Sequence, residues 1–110
     1  NCRAEYEWGV HVAGFAKKAG FSDAQIAGTC SKSIDSSIWV EEELMLIQLV
    51  DELHMSAQLE NETWEKLCNF FTDEQLIELI MLTGLYHAVS FVVNGLKVDN
   101  ETFAPRFPCL

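Results

Sequence analysis

The stretch Thr72–Gly95, TDEQLIELIMLTGLYHAVSFVVNG, sets the fold class. It opens with Thr72 and Gln75 at the spacing of a capping box, in which each side chain serves a backbone N–H of the first turn. Asp73 and Glu74 put negative charge where the helix dipole favours it. After that turn the segment is apolar on nearly every side, with no proline, so a helix to about Gly95 is expected. A helix of this kind is normally buried all round. A chain of 110 residues has little room to bury one by itself, so a subunit interface or a further segment is expected to cover it.

Working outward, Asn61 followed by Glu62, Thr63, Trp64 and Glu65 marks a helix start, and that helix should end near Phe70. A longer helix is expected from near Trp39 to about Ala57, with an acidic first turn (Glu41, Glu42, Glu43) and an apolar stripe of Leu44, Ile47, Leu49, Val50 and Leu53. Ser22 suits an N-cap for a short helix from Asp23 to about Thr29, and the polar run from Cys30 to Ser37 reads as a loop. The first segment, from about Cys2 to Ala19, reads as a helix closed by Lys17, Lys18 and Gly20. No capping residue precedes it, so this helix is expected to be entered after its true beginning. From Val98 to Leu110, with Pro105 and Pro108, an extended arm packed on a surface is expected. The reading is all-α, a bundle of about five helices forming one domain over residues 1–110.

The formal net charge of −10 argues against nucleic acid or an anionic membrane as a partner. The cysteines Cys2, Cys30, Cys68 and Cys109 contain no C-x-x-C, and the helical pattern needs no staples; free thiols in a reducing, cytoplasmic setting are expected. No uninterrupted apolar run reaches membrane length, since Glu78 and His87 break the nearest one, Leu76–Val93. No histidine has the spacing of H-E-x-x-H, so no metal is expected, and no glycine-rich phosphate loop is present.

Chemistry is densest at Glu5-Tyr6-Glu7-Trp8 and His11. Glu7 and His11 stand four apart, hence on one helix face. A carboxylate there can orient the imidazole and keep it basic for acid–base work, while Trp8 shapes an apolar wall. The plain alternative is an exposed pair worth a few tenths of a kcal/mol. Tyr86 and His87, deep in the apolar helix, can line a pocket; the plain alternative is a buried histidine bonded to backbone or to a neighbouring subunit. His54, near the end of its helix, reads as a partner of the dipole.

The run Glu5 to Val12 resembles the signature of the carboxymuconolactone decarboxylase family, which commonly reads E-Y-E-W-x-x-H. Gly20-Phe21-Ser22-Asp23, Asp51-Glu52-Leu53-His54, Thr63-Trp64, Phe71 to Leu76, Gly84 to His87, Asn94-Gly95-Leu96 and Phe103 to Pro108 resemble later segments, in order and over nearly the whole chain. The resemblance implies an all-helical fold of the alkylhydroperoxidase D type, assembled as homotrimers or hexamers, and a chain that lacks the family's first helices. It also implies a cofactor-independent lyase acting on a small lactone or carboxylic acid, with His11 as acid/base, Glu7 orienting it, and Trp8, Tyr86 and His87 around the substrate. The peroxidase branch reads C-x-x-C-x-x-x-H; its cysteine positions fall here on Ala4 and Glu7, so the dithiol is missing. The alternative expected of such a chain is a non-catalytic helical binding or assembly module, and a second is a thiol-peroxidase relative without the dithiol.

Overall fold

Two short motifs, Ser22…Gln25 and Thr72…Gln75, start helices as their sequences require. The computed structural model describes residues 1–108; Cys109 and Leu110 lie outside the described residues. Its helices are α1 (Glu5–His11), α2 (Asp23–Gly28), α3 (Glu41–Ser56), α4 (Asn61–Leu67) and α5 (Asp73–Gly95), and there is no strand among the described residues. A π-helical segment, Val12–Ala16, continues α1, and a single 3-10 turn, Ser36–Ile38, precedes α3. The all-α expectation of five helices is met.

At α2 the Ser22 Oγ accepts from the Gln25 N–H (3.2 Å) while Gln25 Oε1 accepts from the Ser22 N–H (3.0 Å). The same reciprocal pair closes the start of α5, with Thr72 and Gln75 at 3.3 and 2.9 Å. Each satisfies two donors that a helix start leaves over. Gly20 adopts φ +81°, and the Phe21 N–H reaches the Ala16 carbonyl at 3.0 Å, the six-to-one bond of a left-handed helix stop. Ala57, at φ 58°, stops α3 in the same left-handed way, although it has a Cβ.

Three expectations are corrected. The first helix begins at Glu5 rather than Cys2; Arg3 sits at φ 50°, outside helical space, and Ala4 offers no side-chain cap. The fourth ends at Leu67, because Asn69 and Phe70 donate to the carbonyls three residues back and tighten the chain into turns. The third concerns α5, whose 23 residues are long and apolar enough to cross a membrane by length and composition alone. Glu78 and His87 are too few to lower its apolar character below that mark, although the core helix of a soluble protein passes the same test.

The chain divides into two compact units. The first, Trp39–Ala88 with Asn1, holds α3, α4 and the first part of α5. Its core is Met45, Leu49, Leu67 and Leu76, with Val50, Leu53, Leu59, Phe71, Leu79 and Ile80 packed against them. Polar groups tie α3 to α4. Glu52 Oε1 accepts from Thr63 Oγ1 at 2.6 Å and from Gln48 Nε2 at 2.8 Å, while Oε2 accepts from the Glu60 N–H at 3.0 Å. The second unit, Cys2–Ile38 with Val89–Leu110, holds α1, the π segment, α2 and the end of α5. The tail lies against α1 as expected: Gly9 is buried and lets the Pro105 carbonyl approach so closely that a Cβ would stand 2.5 Å from its oxygen. Asn94 Nδ2 donates to the Cys2 carbonyl at 2.8 Å.

Candidate functional site

In the second unit, α1 carries Glu7, Trp8 and His11. His11 Nδ1 lies 2.8 Å from the Glu7 carbonyl oxygen and 3.4 Å from Glu7 Oε2. The shorter contact assigns the Nδ1 proton to the carbonyl and makes Nε2 the basic nitrogen. Glu7 thus meets the ring with its backbone first, at 2.8 Å, and its carboxylate second, at 3.4 Å. The His11 side chain is 40% exposed and that of Glu7 19%, so the pair is half open to water. The His11 ring leans on Phe15, centroids 5.7 Å apart. The π segment begins at the residue after His11, and such segments are rare and frequent at functional positions.

Trp8 is held on two sides. Its indole N–H donates to Thr29 Oγ1 at 2.8 Å, and its ring lies tilted against Phe107 with centroids 5.3 Å apart. Glu5, next to it, meets Arg106 at 3.6 Å and accepts from the Phe107 N–H at 3.4 Å. Thr29, Arg106 and Phe107 had no local signal in the sequence, because each reaches α1 from a distant segment.

Beside them, the Cys30 thiol is pushed up by burial, an effect that the Thr29 hydroxyl partly offsets. Cys2, Cys30 and Cys68 are free thiols, as expected; Cys109 is outside the described residues.

In the first unit, Tyr86 and His87 sit on α5, Tyr86 exposed and His87 half-buried. His87 Nδ1 meets the Thr83 carbonyl at 3.0 Å, and its Nε2 lies 2.8 Å from Nδ1 of His54, which stands in the last turn of α3. That pairing, across 33 residues, was invisible in the sequence. The backbone bond of His87 is the plain reading given above, and the second imidazole is new.

Among the described residues, one surface depression is lined by Phe91, Val92, Gly95 and Leu96 and another by Phe71, Gln75, Glu78, Leu79 and Leu82. Neither is lined by His11, Trp8, Tyr86 or His87. Both are walled by α5, whose apolar side chains are largely open to water: Ile77, Met81, Leu82 and Leu85 in the first unit, Phe91 and Val92 in the second, with exposed Leu96 just past its end. Comparison with protein-family models, with curated proteins and with solved structures returns no match.

Proposed function

We propose that this chain is a self-associating helical module, resembling the carboxymuconolactone decarboxylases, whose copies pack through α5. The observation that carries the reading is the exposure of that helix: Leu85 is 58% exposed, Met81 70% and Phe91 66%. Met81 and Leu85 stand one turn apart, as do Val92 and Leu96, so each pair forms an apolar ridge of the kind that seats in a groove of another helix. Exposed apolar side chains repeated along one helix mark a contact site. The net charge of −10 keeps such a module in solution and away from nucleic acid and anionic membranes. A cytoplasmic setting agrees with its free thiols.

The test is mass in solution by light scattering between about 1 and 100 µM, dissociation constants in that span corresponding to roughly −8 to −5 kcal/mol. Trimers or hexamers are expected, and Leu85→Glu, which meets water in the isolated chain, should leave a helical monomer. A wild-type monomer throughout overturns the reading, as does protein recovered only in detergent or lipid.

A second reading, favoured by the oriented His11 and the π segment that follows it, is catalytic. As the imidazolium, with a second proton on Nε2, His11 would give that proton to the carbon left by loss of carbon dioxide from a small lactone acid and take another from solvent, with no cofactor. Glu7 would hold the ring, and Trp8 would wall the substrate. This predicts turnover of a carboxymuconolactone-like compound that His11→Gln abolishes with the helical signal unchanged. Equal inertness of both proteins overturns it.

A further inference from the structure

We propose that His54 and His87 form a two-histidine site for a first-row divalent metal ion of the imidazole-preferring kind, such as Zn²⁺ or Ni²⁺. His54 Nδ1 and His87 Nε2 point at each other across 2.8 Å, with the rings tilted by 47°. The other nitrogen of His87, Nδ1, faces the Thr83 carbonyl at 3.0 Å. That bond fixes the Nδ1–H tautomer and aims the Nε2 lone pair at His54. It is also the arrangement that metal-binding histidines use, with one nitrogen on the ion and the other donating to a carbonyl. In the neutral pair the single proton between the rings belongs to His54 Nδ1.

Two imidazole nitrogens on one ion, each about 2.1 Å from it, stand about 3.0–3.4 Å apart, so the nitrogens part by about 0.2–0.6 Å and both rings swing off their shared line until their lone pairs meet on the ion. Binding moves the His54 proton from Nδ1 to Nε2 through solvent, and the pair stays neutral. The two ligands come from different helices of one unit, α3 and α5, whose mutual placement is set by Leu49 and Leu53 packing with Leu76, Leu79 and Ile80. This keeps the two donors within reach of one ion. His54 is exposed, which gives an ion its entry path, and lies in the last turn of α3, where the helix dipole favours positive charge.

The experiment is calorimetric titration of the reduced full chain with Ni²⁺ and with Zn²⁺ at pH 7.5, together with the imidazole proton resonances of the wild type. One ion per chain is expected. His54→Gln and His87→Gln should each weaken Ni²⁺ by at least tenfold, and the double variant should be little worse than either, because losing one ligand already destroys the chelate. In the unmodified protein, Zn²⁺ should shift the resonances of His54 and His87 and leave those of His11 in place. The proposal fails if either variant binds Ni²⁺ as tightly as wild type, if no binding occurs up to 1 mM, or if His11 alone responds. The resonance measurement decides the matter even if a variant misfolds.

Discussion

Replacing Thr63 by valine isolates the polar tie between α3 and α4. Thr63 is 1% exposed, and its hydroxyl donates to Glu52 at 2.6 Å while accepting from Gln48 at 2.7 Å. Valine keeps the shape and removes both bonds. A hydrogen bond to an ionised group contributes about 1.5–3 kcal/mol, and the extra buried methyl returns up to about 0.8 kcal/mol. Gln48 and Glu52 still hold each other at 2.8 Å, so neither is orphaned. The net cost should be about 1–2 kcal/mol at pH 7, read as a lower urea midpoint at unchanged slope with Trp64, the next residue, as reporter. The acid limb gives a sharper check. Burial pushes the Glu52 carboxyl up, but bonds from Thr63, Gln48 and the Glu60 N–H outweigh it and hold it below its ordinary value. A carboxyl lowered in the folded state adds stability that is complete above its unfolded value of about 4.3 and is lost as pH falls through the folded one. Wild type should therefore lose more than Thr63→Val between pH 5 and pH 3, and the gap between them should narrow. A valine variant as stable as wild type at pH 7, or a gap of the same size at both ends, refutes the account.

Two other outcomes follow from local geometry. Gly9→Ala should destabilise the chain by about 1–3 kcal/mol, because the new Cβ would meet Pro105 O at 2.5 Å and Ala104 Cβ at 3.2 Å; alanine's better helix propensity, up to about 1 kcal/mol, makes any net loss the signature of that clash, measured by thermal unfolding and by earlier proteolysis of the tail. Cys30, with its thiol pushed up by burial, should be alkylated several-fold more slowly than exposed Cys68 at pH 7.5, with the gap closing as pH rises, read by peptide mass mapping; equal rates would contradict the burial.

The features legible in the sequence are those whose cause lies within about four residues. Ser22 with Gln25 and Thr72 with Gln75 satisfy each other locally, so their helices start where the residue types say. Gly20 and the Glu7–His11 spacing are of the same order, which is why the contact of these two residues was legible. Sequence reasoning fails where a distant segment decides. Cys2 was expected in a helix, but its carbonyl is held by Asn94, 92 positions away, and Arg3 departs into left-handed space beside it. Trp8 carries no sign that Thr29 and Phe107 will hold it, nor His54 that its neighbour is His87.

The long helix shows the limit from the other side. Its pattern states that water should not surround it, yet of its residues Leu76, Ser90 and Val93 are buried while Ile77, Met81, Leu85 and Phe91 stay open. Hydrophobic pattern specifies that a surface is to be covered and is silent on what covers it, because burial by the same chain and burial by a second one select the same side chains. What covers α5 is thus not written in the pattern of α5 itself. That is why α5, the plainest helix in the sequence, is also the element whose role rests on a measurement of mass.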